Sequence, residues 1–483
     1  MTLSLALHAA LSGLTAASRA SGVVSENIAN ALTPGYARRS IILDSQSDVS
    51  PGVRVLGIER HVDPGILANR RDADATLANA QVLSTFHSRL GSVIGDSTDE
   101  NSLAARLAAF DNSLIAAASL PSSVQRLDDA VLKAKDLAQL LNEATDTIQS
   151  MRSEADRQID IQVDRLNEAL IEVRELNTRI TATISGGGAT ASLMDQRQAL
   201  VDEINEIAPI NVVERNHGQI ALYTDGGVML LDGLPATITF SRSYTIVAEM
   251  TLEGGGLSGL EMNGRSLRTD SSGGALRGGS LAALFELRDE LSVETQAELD
   301  SLARDLVERF EDAGLDSTRA TGDPGLFTDN GNAFDPTLEV GLAGRIAVNG
   351  AVDSETGGAS WRLRDGLGAT SAGPSGDATL LQSLQAALST ARAPGSGNFG
   401  TGLLAADQVT ASFMSGLSQQ STVAEQRLAF ASASQTEMQE IELAQGVDTD
   451  AELARLMLIE QAYAANARMF EVVDELMQTL LRL

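Results

Sequence analysis

The sequence lacks cysteine, contains only four histidines and is poor in aromatic residues, which make up 3% of it. Without cysteine the chain can form no disulfide bond, thiolate metal site or cysteine nucleophile. The histidines, at positions 8, 61, 87 and 217, form no H-x-x-H or H-E-x-x-H pattern, so their spacing predicts no zinc site. So few aromatic side chains favour close helix packing over an aromatic-lined ligand pocket.

Basic residues are scarce relative to acidic ones. The chain carries 35 Lys and Arg against 65 Asp and Glu, a formal net charge of −30. Nucleic acid and anionic membrane surfaces attract clustered Lys and Arg, so neither is expected as a main partner. No apolar run reaches the roughly 18–20 residues of a membrane span, and no Lys or Arg precedes Arg19, as a signal peptide would require. We therefore expect no membrane insertion and no cleaved signal peptide.

Motifs for catalysis and cofactor binding are missing as well. No serine lies in a G-x-S-x-G motif. The loop Gly322–Asp335 is rich in Asp and Asn but lacks the ligand spacing of a calcium loop. The Gly-rich runs lack the Lys-Ser/Thr of a phosphate-binding loop. The sequence therefore predicts no catalytic residue, no metal site and no cofactor, in a protein that is not an enzyme.

Both ends of the chain carry a heptad pattern. Apolar or small residues recur there in alternating steps of three and four, which predicts helices with a narrow apolar stripe. Asn466 is the polar member of the C-terminal stripe, and such a residue can fix helix register. The predicted seam residues are Leu3, Leu7, Leu14, Val24 and Ile28 in the first helix, and Leu456, Ile459, Tyr463, Asn466, Phe470, Val473, Met477 and Leu480 in the last.

Each stripe has two interpretations. A seam of this kind also occurs on an ordinary amphipathic helix that packs on its own domain, and periodicity alone leaves this open. Alone, however, either helix would be marginally stable in water. The two terminal helices can cover each other and then other copies of the chain. We therefore predict that the two ends pair in a coiled coil and that this pair is the assembly surface.

A run of polar and turn residues follows the first helix. Asn27 and Asn30 lie three apart, where their side chains can bond exposed backbone groups or a neighbouring subunit. Thr33, Pro34, Gly35 and Tyr36 come next, and Pro-Gly suits the centre of a type II turn. Tyr36 can then pack its ring under the turn. The run predicts a hinge between the terminal helices and the rest of the molecule.

The middle of the chain alternates between helical and β patterns. Long helices are predicted over residues 66–118, with a break at residues 95–101, and over residues 121–185, 281–313 and 403–444, with hairpin signals at residues 210–240. Residues 344–350 and 359–366 are further strand candidates. The nested order predicts an elongated molecule with both termini at one end and the β parts at the other.

The predicted fold class is mainly α with β inserts, in an elongated, nested, multi-domain chain. It has four parts. They are a terminal coiled coil (1–40 with 446–483), a long-helix bundle (41–205 with 279–315 and 376–445), an outer β insert (206–278), and a loop-rich insert with short strands (316–375) that belongs to the outer part, to the bundle or to a domain of its own.

Residues 12–39 and 446–481 resemble, as a pair, the N- and C-terminal signatures of the flagellar rod, hook and hook-associated axial proteins. Three interior segments, residues 193–230, 273–291 and 321–336, resemble the hook-associated protein 1 family within that group. The resemblance implies a structural protein of the bacterial flagellum that joins hook to filament by helical self-assembly, with the terminal helices lining a central channel.

The resemblance also implies partners and a location. The partners would be further copies of the chain, the hook protein, the second hook–filament junction protein, and a flagellar export chaperone at the C-terminal helix. The protein would be exported by the flagellar type III apparatus and reside in the extracellular flagellum. Two alternatives stay open: another axial part, such as a hook or distal-rod protein, and a secreted surface protein whose β insert binds a ligand.

Overall fold

A computed structural model describes residues 3–33, 35–45, 52–96, 98–271, 273–312, 314–400 and 402–481, without the side chains of Leu3, Leu480 and Leu481. Pro34 lies outside the described residues. The chain is mainly helical with small sheets, as predicted. Its helices are α1 (Leu3–Ala29), α2 (Pro64–Ile94), α3 (Leu103–Ser119), α4 (Val124–Ser185), α5 (Ala191–Ile207), α6 (Gly279–Glu286), α7 (Ser292–Glu311), α8 (Leu342–Arg345), α9 (Arg362–Asp365), α10 (Thr379–Ser389), α11 (Ala406–Ala444) and α12 (Thr449–Leu481).

The strands form small antiparallel sheets. They are β1 (Arg39–Ser45), β2 (Val53–Arg60), β3 (Ile210–Glu214), β4 (Ile220–Thr224), β5 (Met229–Asp232), β6 (Leu234–Pro235), β7 (Ile238–Thr239), β8 (Leu260–Met262), β9 (Arg265–Leu267), β10 (Phe327–Asp329) and β11 (Ile346–Val348). Their orders are β1-β2, β3-β4-β5-β6, β7-β8-β9 and β10-β11. The β1–β2 hairpin shifts register between Ile42 and Leu43, the mark of a β-bulge.

Helix α4 is the element on which both inserts pack. It has 62 residues, about 93 Å at 1.5 Å per residue. Near its start, the side-chain amide of Asn142 donates to the carbonyl oxygens of Ala343 and Ile346 in the second insert. Near its end, the amide of Asn177 donates to the carbonyl of Ile220 in the first insert. The buried face of α4 is mostly apolar, with Arg152 and Asp156 as buried charges, and helix and inserts share one continuous core.

Several helix ends follow local rules. Asp63 caps α2 by accepting from the backbone N–H groups of Gly65 and Ile66, and Pro64 occupies the first helical turn. Gly95 ends α2 at a positive φ of 76°. Helices α6 and α7 are joined by a π-helical turn, Leu287–Leu291, so that residues 279–311 form one helical segment. The predicted helix over 281–313 therefore forms as α6 and α7 with a π-helical turn between them.

A β-hairpin follows the first helix. Residues 39–45 and 53–60 form β1 and β2, whereas the sequence predicts that the long-helix bundle begins at residue 41. The hairpin packs on α1, where the backbone N–H of Val53 donates to Ser12 Oγ at 3.1 Å. The strand candidate at 359–366 is also wrong, because α9 forms there. In this helical turn Leu363 is buried in the core, and Arg364 donates to the carbonyl of Pro121, three residues before α4 begins.

The predicted separation of termini and β parts holds only in part. Arg197 of α5 donates to the carbonyl of Gly218, in the turn between β3 and β4, at 2.6 Å. Two residues earlier, Asp195 binds Arg39 and Arg60 of the terminal hairpin. Helix α5 follows α4 and contacts both the terminal hairpin and the first insert. The first insert therefore lies close to the end of the molecule that holds the terminal hairpin. The second insert lies at the opposite end of α4.

Candidate functional site

The site begins at Asn27, a fully buried side chain near the end of α1. Its amide nitrogen donates to the carbonyl of Arg39 at 2.8 Å and to Glu452 Oε2 at 3.1 Å. Its amide oxygen accepts from the Tyr36 hydroxyl at 2.9 Å and from the backbone N–H of Arg39 at 3.0 Å. An asparagine side chain has two donors and two acceptor lone pairs, so every one of them is used. The Asn27 side chain therefore uses its hydrogen bonds on groups of its own chain rather than on a neighbouring subunit.

Glu452, in the first turn of α12, is the acidic centre of the site. Its side chain is 2% exposed. Oε1 accepts from Arg38 Nε at 2.8 Å and lies 3.4 Å from Arg455 Nη1. A carboxylate near a helix N-terminus also interacts favourably with the helix dipole. A buried charge is costly without partners. The contacts of Glu452 with Asn27 and Arg38 therefore both stabilise its charge and join the start of α12 to the end of α1.

Arg39 extends the site to α5. Its guanidinium donates to Glu26 at 3.0 Å and to Asp195 at 2.6 Å, and it lies 4.7 Å from the centre of the Tyr36 ring. Arg60 of β2 binds the other carboxylate oxygen of Asp195 at 2.6 Å. Burial raises the pKa of the Tyr36 hydroxyl, and the nearby Arg39 charge opposes that rise. Terminal helices, hairpin and bundle therefore meet in one polar network, which we call the clasp (Asn27, Tyr36, Arg38, Arg39, Asp195 and Glu452).

The predicted turn lies at the edge of the clasp. The backbone N–H of Tyr36 donates to the carbonyl of Thr33 at 3.1 Å, and Gly35 has a φ of 75°, as the third residue of a type II turn requires. Asn30 donates to the carbonyl of Glu26 and accepts weakly from the Thr33 hydroxyl. Of the hinge residues, Asn27 and Tyr36 are in the clasp, Asn30, Thr33 and Gly35 shape the turn, and Pro34 lies outside the described residues.

Helices α1 and α12 pack antiparallel. A Cβ added to Gly13 would lie 2.8 Å from the side-chain amide of Asn466, so the two helices approach closely there. The second point of contact is Asn27 with Glu452. The two contacts are 14 residues apart on each helix, which is two heptads. Asn466 also donates to the carbonyl of Ala462 within α12.

The predicted seam residues are only partly covered. Val24 and Val473 are buried, while Leu7, Leu14, Ile28, Leu456, Ile459 and Asn466 are half-buried. Tyr463, Phe470 and Met477 stay exposed. The side chains of Leu3 and Leu480 lie outside the described residues. Other large apolar side chains of α12 are exposed too, among them Met457 at 60% and Leu458 at 66%. Their role in assembly stays a prediction.

Within the described ranges, no helix is long and apolar enough to cross a membrane. In the same part of the chain, no three His, Cys, Asp or Glu side chains are grouped so as to hold a metal ion. The clasp contains two carboxylates, two guanidinium groups, one side-chain amide and one phenol, and each of these groups makes at least one hydrogen bond or ion pair. Its arrangement holds elements together and presents no unpaired nucleophile or base.

The sequence analysis identified two of the six clasp residues. Asn27 and Tyr36 were singled out, but Glu452, Arg38, Arg39 and Asp195 were not assigned to a site. Two signals were available. Glu452 is an acidic residue in the first turn of a helix whose apolar stripe predicts a partner. Arg38 and Arg39 are adjacent cations immediately after the turn.

Three family models match the chain along its length. The flagellar basal body rod protein model matches residues 7–36, and the hook-associated protein FlgK helical domain matches residues 87–327. The C-terminal model of the basal body rod FlgEFG proteins matches residues 443–483. The clasp thus joins the two segments that match rod-protein ends. All three models describe structural parts of the flagellum rather than enzymes.

Individual proteins agree with the family models. Flagellar hook-associated protein 1 of Escherichia coli is 27% identical over 344 residues, covering 66% of this chain and 58% of that protein. Its counterpart in Salmonella typhimurium is 30% identical over 247 residues, covering 48% of this chain and 43% of that protein. The chain therefore spans about half the length of these relatives. The flagellar hook junction protein FlgK from Burkholderia pseudomallei aligns with a TM-score of 0.45 and 20% identity, over 54% of this chain and 46% of that one.

Proposed function

Because this chain belongs to the flagellar rod, hook and hook-associated axial proteins, and within them to the hook-associated protein 1 family, we propose that it joins the flagellar hook to the filament by helical self-assembly. The match of the helical domain over residues 87–327 supports this role over that of a rod or hook protein. The location that follows is the flagellum outside the cell.

One structural observation carries the proposal. The two ends of the chain form an antiparallel helix pair whose apolar stripe is left partly uncovered. Burying an exposed leucine or methionine is worth about 1.5–3 kcal/mol, but only if another surface covers it. Further copies of α1 and α12 can supply that cover around a channel. Repetition of one contact between identical chains then builds rings or helices without any other component.

The clasp gives the helix pair a fixed direction relative to the bundle. In the proposed assembly, α1 and α12 form the inner tube, and α2, α4, α7 and α11 form a shell around it. The inserts at 206–278 and 316–375 would face outward, where the lattices of hook and filament differ. The partners that follow are further copies of this chain, the hook protein and the second hook–filament junction protein.

Export by the flagellar type III apparatus completes the proposal. The terminal helices cannot assemble before they leave the cell, so their apolar stripe needs cover until then. A dedicated export chaperone that binds α12 would supply it. The exposed Met457 and Leu458 are the kind of side chains it would cover.

Deletion of the gene tests the proposed junction role. We expect cells that carry hooks without filaments and release flagellin into the medium, with filaments restored by the intact chain on a plasmid. Cells with normal filaments would overturn the proposal. Cells without hooks would instead indicate a rod or hook protein, and electron microscopy of purified hooks separates the outcomes.

A further inference from the structure

A long groove that none of the clasp residues lines crosses the helical bundle. It consists of a cavity of about 860 Å³ between α2, α6–α7 and α11, and an adjoining cavity of about 690 Å³ that shares Glu298 and Asn398 with the first. Along α6 and α7 the groove extends from Glu286 to Ser301, which is about 22 Å of helix at 1.5 Å per residue. It is therefore long enough to hold a helical segment rather than a small molecule.

The wall formed by α6 and α7 is acidic. Glu286, Glu290, Glu294 and Glu298 recur every four residues, and all but Glu290 line the groove. Glu290 is bonded to the backbone and hydroxyl of Ser271. In the part of the chain that the structure describes, the other three make no hydrogen bond or ion pair.

The negative charges of these carboxylates are not fully balanced by nearby positive charges. Burial raises the pKa of Glu286, neighbouring glutamates raise it further, and Arg427 opposes the rise. Burial and Glu294 likewise raise the pKa of Glu298. Arg427 lines the groove as well, but the acidic groups along it outnumber this cation. A positive charge placed between Glu286 and Glu298 would therefore be attracted more strongly than one at the open surface.

The second, independent observation is a buried histidine at the groove. His87 of α2 lines the same groove, and only 6% of its surface is exposed. Its Nδ1 atom is buried and has no hydrogen-bond partner among the described residues. Burial lowers the pKa of the imidazole, so the ring is neutral at pH 7 and keeps one nitrogen as an acceptor. Buried polar atoms are normally bonded, so a polar side chain of a segment bound in the groove would supply a partner for Nδ1.

The rims of the groove are apolar. Phe430 of α11 lines one end and is 76% exposed, and Val340 lines the other end and is 52% exposed. Val423, one further side chain at the first end, is also exposed. An acidic wall between apolar rims is complementary to a segment with basic residues on one side and apolar residues on the other.

We infer that this groove is a docking site for a basic amphipathic helix of a partner protein. Because this chain carries only 35 Lys and Arg against 65 Asp and Glu, a different protein is better suited than a second copy to supply a basic helix. The partner's Lys or Arg side chains would lie against Glu286, Glu294 and Glu298, and its apolar side would contact Phe430. This inference stands apart from the proposed assembly of the terminal helices.

A peptide binding experiment with the full chain tests the inference. The probe is a helical peptide of about 16 residues with Lys at every fourth position and Leu and Ala elsewhere, which matches the length of the groove. We expect the double variant E286Q/E298Q to weaken its binding about tenfold, measured by fluorescence anisotropy at low salt. The matched control is E172Q/E175Q, which removes two exposed charges from α4, and we expect a change of less than about twofold.

A second variant keeps the inference testable if E286Q/E298Q misfolds. Phe430→Ala alters a mostly exposed side chain, so the fold should persist, and it should also weaken binding several-fold. Equal losses in E286Q/E298Q and in the control would mean general attraction to an acidic protein and would overturn the inference. So would unchanged binding in both groove variants. Concentration-dependent dimers of the unmodified chain that disappear in E286Q/E298Q would identify a second copy as the occupant and overturn it too.

Discussion

Asn27 and Glu452 lie 425 residues apart in the chain, yet the side-chain amide of Asn27 donates to Glu452 Oε2 at 3.1 Å, with both side chains buried. This bond crosses from the last turns of α1 to the first turn of α12. The Glu452 carboxylate is buried, and a buried charge without hydrogen-bond or ion-pair partners is strongly destabilising. The stability of the terminal helix pair should therefore depend on a few polar atoms as well as on its apolar stripe.

Glu452→Gln should loosen the helix pair. The substitution keeps the size of the side chain but removes the charge that Arg38 faces, and a hydrogen bond to a charged group is worth about 1.5–3 kcal/mol. We expect the free energy of local opening in α1 and α12 to fall by that amount, measured by native-state hydrogen exchange. Glu460→Gln, an exposed site on the same helix, should change little. Equal protection in both variants would show that the clasp does not hold the ends.

Gly13→Ala should disrupt the seam at a second point. A Cβ at this position would meet the Asn466 side chain at 2.8 Å, closer than carbon atoms pack. At Gly22 on the same helix nothing lies within 4 Å, so Gly22→Ala should stabilise α1 by about 0.5–1 kcal/mol through helix propensity. We expect the two substitutions to have opposite effects on the thermal unfolding of the helix pair.

A compensating change tests the origin of the Gly13 effect. Asn466→Ala removes the side chain that Gly13→Ala would strike, so the double variant should recover most of the lost stability, with a coupling of about 0.5–3 kcal/mol. Additive losses in the double-mutant cycle would place the cost of Gly13→Ala elsewhere.

The heptad patterns were informative because they extend over whole helices. The C-terminal stripe and its polar member Asn466 predicted a paired helix, and in the structure Asn466 lies opposite a glycine of α1. The partner of Asn27 could not be predicted, because local rules do not say which of 65 acidic residues folds back onto it. The hairpin at 39–60 escaped notice because adjacent isoleucines and a leucine in β1 do not alternate with polar residues, and the bulge moves Leu43 out of register.

Tertiary contacts decided the other differences. Residues 359–366 alternate like a strand, but in the structure the helical turn α9 buries Leu363 and carries Arg364, which bonds to Pro121 just before α4. The groove beside His87 could not be predicted from the sequence either. Its acidic wall is visible in the sequence as glutamates four apart, yet that spacing is usual on a solvated helix face. Only the packing of α11 against α2 and α7 encloses them.

Asp300 should make stability depend on pH. Burial raises the pKa of this carboxyl to about 6, from 3.8, although it accepts backbone N–H bonds from Gly341 and Ala343. The folded chain therefore binds a proton more tightly than the unfolded chain, so stability contributed by this group is present at low pH and is lost as pH rises through about 6. Lowering the pH from 7 to 5 should stabilise the chain by about 1–1.4 kcal/mol through Asp300.

Comparison with Asp300→Asn isolates this group from the other half-buried acids, such as Glu311. The difference in unfolding free energy between the two chains should change between pH 5 and pH 7 by the amount given above, in urea titrations at each pH. A difference that stays constant with pH would contradict the assignment.

The turn after α1 should matter more to assembly than to the folded monomer. Gly35 has a φ of 75°, which costs a residue with a Cβ about 1–2 kcal/mol, and nothing lies within 4 Å of a Cβ built there. Gly35→Val, combined with Pro34→Ala, should therefore strain the turn without a clash and shift the direction in which α1 leaves the clasp. We expect near-normal thermal unfolding of the monomer but loss of motility and of filaments on complemented cells. Gly57→Ala, in the adjacent hairpin and without positive φ, serves as the control and should leave motility intact. Normal swimming in the double variant would rule out a hinge at this turn, because the clasp alone would then suffice to set the direction of the terminal helices.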